Sequence, residues 1–446
     1  MMRTLLLVPV LLVVLVCTVA EPLAPTAAVE APEVLGPETP IEVAAHDRGW
    51  GLAEVELRLV PAGGGPARVL LHERYPRALG IGSGVRDARF TVRPDAGGPP
   101  PPEGPAVLEV RARDWSWLNV FRSGPTLVRQ AAVDITPPRL EVLTSQHRVA
   151  VGGSELVIYR VSPDTTESGV MVGDVVFPGT AGYLKDPALR VALFAVPHDQ
   201  PGALPTAFAV DAAGNRRTAA IDVRVVPTRF ADKTLELSDA FLQRKVPELL
   251  AANDMPPATD LVEGYLRVNG ELRARTEARV REICRARTSA RHWGDGMARL
   301  PNAAPLAGYG DRRTYRHAGR DIDTSTHLGF DLASLQGAAV PAAAAGTVVF
   351  AGPLGIYGNT VILDHGLGLY TLYGHLRQID VTAGATVTRG QTIGRTGETG
   401  LAGGDHLHFS TMVGGIHVNP IEWWDGHWIH DHALARLAPY EAGGTS

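Results

Sequence analysis

The chain is punctuated at short intervals. Between residues 35 and 136, runs such as "PIEVAAHD", "LAEVELRLV", "ARFTVRP" and "AVLEVRARD" alternate apolar and polar residues, and each ends at Gly, Pro or Asp. Alternation with period two puts the apolar residues of a strand on one face, and the frequent turn residues keep each strand short. A β-sandwich is the fold such a stretch specifies. The pattern returns from "DITPPRLEVLTS" (134–145), through "SELVIYRVS", "ALRVALFAVP" and "TAAIDVRVVP". Both blocks close on a similar phrase: "VRARDWSWLN" (110–119) and "AFAVDAAGN" (207–215) each run a strand into Ala-x-Asp and a turn containing Asn. A two-member repeat of about 100 residues is expected to form two tandem sandwiches, at 35–136 and 137–228. Trp115 and Trp117 read as packing residues of the first.

The remaining segments carry different signals. "MMRTLLLVPVLLVVLVCTVAEP" has an early Arg3, an apolar run and Thr18-Val19-Ala20 before Glu21. This is the pattern of a secretory signal peptide at residues 1–20, with an uncleaved anchor as the alternative. Val16 before Cys17 does not suit a lipoprotein site. Residues 21–34, rich in Pro and Ala, read as a linker. Once the signal is removed, Cys284 is the one cysteine left, so no intramolecular disulfide can form. Cys284 reads as a small apolar residue on a helix face.

From about 229 to 299 the period changes. "TLELSDAFLQRKVPELLAAN" and "TDLVEGYLRVNGELRARTEARVREICRAR" place apolar residues at i, i+3 and i+4, with Ser238 and Thr259 as expected N-caps. This is read as a short helical linker, with Arg273 to Arg287 as a solvated face. The net charge of −5 is small for 446 residues, and no basic stripe suits nucleic acid.

The chemistry gathers after residue 300. In "DHLHFS" His406 and His408 lie two apart, which in a strand gives one shared face. Two positions about 6–7 Å apart suit one active site better than two ligands of one ion, so one imidazole should bind metal and the other face substrate. In "STHLGFDLAS" His327 and Asp331 lie four apart, an even spacing that again predicts one face of a strand. Two imidazole nitrogens and a carboxylate oxygen are a ligand set that catalytic zinc accepts, with the fourth position left for a water whose pKa falls towards about 7. His375, just past the strand in "LYTLYGHLRQID", can pair with the spare histidine in acid–base work and in stabilising the oxyanion of amide hydrolysis.

The ordered motifs "HLGFD", "YGNTVILDHGLGLYTLYGHL", "GATVTRGQTIGRTGETG", "GDHLHF" and "VNPIEW" make the stretch from about Leu300 to Trp424 closely resemble the lysostaphin/LytM-type zinc metallopeptidases, which cut peptidoglycan peptides. The resemblance implies a C-terminal antiparallel β-sheet metallopeptidase domain (300–430, with a tail at 431–446). It implies one Zn2+ per chain, held by His327, Asp331 and His408, with His375 and His406 as catalytic histidines. Asn359 and Tyr373 fall in motif-like positions that suggest substrate contact. His365 reads as structural, Asp405 as a turn former, and His417, His427, His430 and His432 as a packed tail beside Trp423, Trp424 and Trp428. Some relatives supply an Asn to the metal's open position, for which Asn302 is the candidate here, so the N-terminal domains are a possible cover.

The two N-terminal sandwich blocks, 137–228 with its "AFAVDAAGN" more clearly than 35–136, resemble bacterial immunoglobulin-like domains, and the fold expected is thus mainly β, with two tandem Ig-like sandwiches, the helical linker and the C-terminal metallopeptidase domain. The function expected is an exported endopeptidase of the periplasm or cell envelope, acting on peptidoglycan stems and crosslinks, with membrane contact only through an uncleaved N-terminus. The multidomain layout leans towards a D,D-crosslink. The alternative is a non-catalytic wall-binding protein or an activator of another hydrolase. The sequence does not speak to oligomeric state.

Overall fold

The computed structural model describes residues 23–77, 82–95, 101–116 and 124–441. The expected signal or anchor at 1–20, Trp117 and the end of the tail lie outside the described residues. The chain divides into two compact units, one comprising the residues up to Pro138 with Asp164–Thr166 and Val210–Arg217, the other comprising the rest.

In the first unit, a five-stranded sheet runs in the order Val34–Leu35, Leu127–Val133, Gly104–Asp114, Leu52–Pro61, Arg68–Arg74. A three-stranded sheet runs Thr26–Glu30, Ile41–His46, Asp87–Val92. Alternation does what it predicts: Gly104–Asp114 buries Ala106, Leu108, Val110 and Ala112, every second residue. Thr26–Glu30, expected as linker, is instead a strand paired with Ile41–His46, because its Val29 has a place in the apolar core. Trp115 is partly buried, with the Arg77 guanidinium 4.7 Å from its ring centre.

The second repeat forms a three-stranded sheet with Ser154–Val161 between Leu189–Ala195 and Leu140–Val142. It also forms a four-stranded sheet in the order Val175–Pro178, Thr165–Val172, Thr206–Asp211, Arg216–Ala220. The repeated Ala-x-Asp phrase has a physical role. Asp211 Oδ1 accepts from the backbone of Ala213 and Asn215, both at 2.9 Å, and Asp114 Oδ1 accepts from Ser116 N at 2.9 Å. Each Asp closes the turn that ends its strand.

Three helices follow: α1 (Asp239–Ala252), α2 (Leu261–Arg267) and α3 (Arg273–Ile283), the last two joined by a wide helical turn at Val268–Leu272. Ser238 caps α1 as expected, accepting from Phe241 N at 3.2 Å. Asp260, not Thr259, caps α2, since its carboxylate reaches Glu263 N at 2.9 Å, three residues on. Beyond linking two domains, the segment packs Leu242, Val246, Leu249, Tyr265, Val268 and Val280 into one core with Ile362, Tyr370, Leu372 and Met412. Cys284, just past α3, is buried, and burial raises its thiol pKa.

A small sheet joins β1 (Asp232–Glu236), β3 (Arg312–His317) and β4 (Arg320–Thr326), with β3 between the other two. The principal sheet is antiparallel throughout. It takes β2 (Ala304–Ala307), β5 (Phe330–Ala333), β6 (Gly346–Pro353), β7 (Asn359–Gly366), β8 (Leu369–Gly374), β9 (Thr386–Val387) and β10 (Leu407–Val413) in the order β2-β5-β10-β8-β7-β6-β9, with β11 (Ile416–Val418) also on β10. β8 and β10 are buried at every residue. One face of this sheet meets the helices and the other a core containing Val361, Leu363, Trp423 and Leu437, so these strands do not show a polar alternate face.

Candidate metal centre

Strand register assembles the site. Across the β5–β10 ladder Asp331 stands opposite His408, and across β10–β8 His408 stands opposite Gly374, next to His375. His327 sits in the connection between β4 and β5, not on a strand with Asp331 as its spacing predicted. The loop through Gly329 explains the departure. A Cβ there would come within 2.6 Å of the His408 ring and Ser410 Oγ, so close packing of this turn against β10 requires glycine.

His327 Nε2 lies 2.9 Å from Asp331 Oδ1, His408 Nδ1 lies 2.9 Å from the same oxygen, and the two nitrogens are 3.1 Å apart. Suitable ligand atoms of all three residues fall within 4.8 Å of one another, the one such His/Cys/Asp/Glu cluster among the described residues. The other ring nitrogens determine what those atoms can be. His327 Nδ1 is 2.8 Å from the Gly308 carbonyl oxygen, to which it can only donate. Ser410 donates its hydroxyl to the Leu328 carbonyl at 2.8 Å, so its oxygen is free to accept from His408 Nε2 at 3.0 Å. Each imidazole in this arrangement spends its proton outward and turns a lone pair inward. Two lone pairs and a carboxylate oxygen then converge with no proton between them, a donor set that fits a divalent cation, and zinc in particular.

His406 and His375 stand beside this cluster. Their ring centres are 4.8 Å apart, and His375 is 5.8 Å from His408 by the same measure. His406 Nδ1 meets Gly404 O at 2.8 Å and His375 Nδ1 meets Thr399 O at 2.8 Å, so both rings keep Nε2 for other work. His406 Nε2 is 3.6 Å from Asp331 Oδ1. His375 adopts φ +63°, an uncommon region for a residue with a side chain, and its N–H donates to Tyr357 O at 2.7 Å.

Burial opposes the ionised form of Asp331, but the adjacent His327, with His406 and His408, outweighs it and holds the carboxyl well below its ordinary range. Burial depresses His375 strongly, with His406 and His408 adding to the effect, and takes His408 down to about 4. His406 goes the other way, because its contact with Asp331 overcomes its burial. The site opens on a cavity of about 750 Å³, whose walls include Ser238, Phe241 and Arg244 from the helical segment and Leu306 of β2.

Other expected residues fall elsewhere. Tyr373 is fully buried, receiving the Ala343 N–H at 2.8 Å, and so supports the sheet without contacting the cavity. Asn359 is half-buried with its N–H on Thr399 Oγ1 at 3.0 Å, and it is not a cavity wall. Asn302 occupies an exposed turn at φ +53°, away from the cavity lining. His365 is buried between Ala345 O and Thr371 Oγ1, each at 2.7 Å, and burial takes it down to about 4. Asp405 accepts from Gly337 N at 3.1 Å and from Thr396 Oγ1 at 2.6 Å, bracing the turn before His406. In the tail, His432 stacks on Trp428 and reaches Glu155 at 2.8 Å, whereas His427 and His430 are exposed.

Three residues near the centre escaped the sequence reading. Arg313 donates to Asp331, Tyr357 lies against the His408 ring, and Glu277 holds Tyr357. No periodicity or motif distinguishes Arg313 and Glu277 from surface charge, and Tyr357, though it opens the motif "YGNTVILDHGLGLYTLYGHL", carries no sign there that its ring meets His408.

Comparison with known proteins gives a consistent setting. Residues 325–420 match the family described as Peptidase family M23. Over 95 residues the chain is 42% identical to DD-carboxypeptidase/endopeptidase Mpg of Neisseria meningitidis serogroup B, covering 21% of this chain and 22% of that one. Over 96 residues it is 40% identical to peptidoglycan DD-endopeptidase ShyA of Vibrio cholerae serotype O1, covering 22% of each. A solved catalytic domain of lysostaphin from Staphylococcus simulans aligns at 30% identity over 28% of this chain and 94% of that one, with a TM-score of 0.24. The chain spans about a fifth of the length of these curated relatives.

Proposed function

With a peptidase family M23 domain at residues 325–420 as the premise, we propose that this protein is an exported zinc-dependent endopeptidase that hydrolyses peptide crosslinks of peptidoglycan. The observation that carries the reading is the convergence of His327 Nε2, His408 Nδ1 and Asp331 Oδ1, with both imidazoles tied outward through their second nitrogens. These three atoms would hold the ion. Bound zinc supplies Lewis acidity, which activates water and polarises a carbonyl at neutral pH.

The chain's own residues do the rest. His375 and His406 each keep Nδ1 on a backbone carbonyl, which fixes the ring and directs Nε2 to the reacting groups. One of the pair takes the proton of the attacking water at Nε2 and the pair returns it to the leaving amine. The ring that has taken the proton at Nε2 is then an N–H donor, able to stabilise the developing oxyanion before the proton leaves. The cavity walls from the helical segment and β2 would orient the peptide. Relatives bearing DD-endopeptidase names favour a D,D-crosslink and an extracytoplasmic place of action.

The test is incubation of purified sacculi with the full chain. Release of soluble muropeptides, abolished by chelator and restored by zinc, is the expected result, and mass analysis of the products identifies the bond. Retention on sacculi without release would replace this reading with a wall-binding or activating role.

A further inference from the structure

Asp331 divides its two oxygens between different partners. Oδ1 faces His327 and His408, and Oδ2 accepts from Arg313 Nη2 at 2.9 Å. The pair is secluded, with side chains 18% and 11% exposed. Arg313 belongs to β3, the centre of the small sheet, where its backbone is set opposite Ser325 on β4. It also lines the cavity. The guanidinium therefore does not stand where the nitrogens converge: it holds the carboxylate from behind.

We propose that Arg313 is a positioning residue that keeps Asp331 a one-oxygen ligand. This rests on the zinc reading above. A carboxylate with both oxygens free can present both to a cation, and the second would occupy the position that water and substrate need. Arg313 prevents this by engaging Oδ2. A planar guanidinium donates along fixed directions, so it sets the carboxylate's rotation as well as its charge, and a lysine ammonium does not.

The experiment uses the full chain carrying Arg313→Ala or Arg313→Lys, loaded with zinc and compared with wild type. X-ray absorption at the zinc edge distinguishes a carboxylate bound through one oxygen from one bound through two, by the distance of its carbon from the ion, a chromogenic chelator measures zinc affinity, and kinetics on a defined crosslinked muropeptide separate kcat from KM. Expected for Arg313→Ala is a two-oxygen carboxylate in place of the bound water and a kcat lower by about ten- to hundredfold, with KM within about threefold of wild type. Arg313→Lys should show the same change of binding mode, and it carries the test if the Ala variant does not fold. An unchanged zinc shell in the folded variant overturns the proposal, and so does a loss confined to KM, which would make Arg313 a substrate contact. If the wild-type chain itself takes up no zinc, the failure belongs to the zinc reading.

Discussion

The Tyr357 hydroxyl donates to Glu277 Oε1 at 2.7 Å, joining a residue of the principal sheet's connections to one on α3, 80 positions earlier. Glu277 Oε2 lies 3.0 Å from His417 Nε2, and the Tyr357 ring lies 5.0 Å from that of His408, centre to centre. A helix outside the region of family likeness thus braces a proposed metal ligand through one tyrosine. Burial disfavours the Glu277 carboxylate, but His417 leads the groups that overcome it and bring it to about 2. Glu277→Ala removes the partner of two secluded polar groups at once. Breaking a buried pair from one side costs about 3–5 kcal/mol, and that loss is expected in the denaturant unfolding midpoint. Glu277→Gln, which keeps an acceptor for Tyr357, should cost less.

The proposed division of labour between the histidines separates metal from chemistry. His408→Ala should abolish zinc binding and hydrolysis together. His375→Ala should keep zinc while kcat falls by about 10²–10⁴, the range of a lost acid–base group. Elemental analysis after dialysis, set beside muropeptide release, reads both. Zinc retained at full occupancy by His408→Ala would remove that residue from the ligand set.

Part of the proposed site was legible because strand chemistry is local: His406 and His408 share a face by period two, and His375 follows a strand end, whereas which residue would bind metal came from the family resemblance alone. The prediction for His327 and Asp331 failed in its geometry, since spacing does not reveal that Gly329 is consumed in a turn against His408. Arg313 and Glu277 were not legible at all. Each looks like one charge among many in its own segment, and only tertiary register brings it to Asp331 or His417. The helical segment shows the same limit. Its apolar period was clear, yet nothing in the period says that its partner is the face of β7, β8 and β10 carrying Ile362, Leu372 and Met412.

Glu422 makes the fold sensitive to alkali. It accepts from Ser154 N at 2.9 Å and Ser154 Oγ at 3.1 Å. Burial raises it to about 8, against those hydrogen bonds and with help from nearby Glu155. A raised carboxyl favours the folded state in its protonated form. That stabilisation is complete below the ordinary value of 4.5 and is lost as pH climbs through about 8. Glu155 itself is lowered, against burial, by His147 and His432, so its own contribution changes only in acid, outside this window. The thermal midpoint of the wild type should therefore fall between pH 6 and pH 9 by several degrees more than that of Glu422→Gln. Equal slopes for the two proteins would show that Glu422 does not titrate between pH 6 and pH 9.

The helical segment is expected to be a structural half of the unit that carries the proposed metal centre and not a removable cover. Ile362, Tyr370, Leu372 and Met412 are each 0% exposed, and their core is completed by α1, α2 and α3. Burying one such side chain contributes about 1.5–3 kcal/mol. Uncovering four would cost on the order of the whole stability of an ordinary domain, about 5–15 kcal/mol. A fragment of residues 300–446 should accordingly aggregate or lack a cooperative thermal transition, and a fragment beginning near residue 229 should retain more of it. Both are read by scanning calorimetry and by size-exclusion chromatography. A monomeric 300–446 fragment that unfolds cooperatively and cleaves sacculi faster than the full chain would instead assign the helices an inhibitory role.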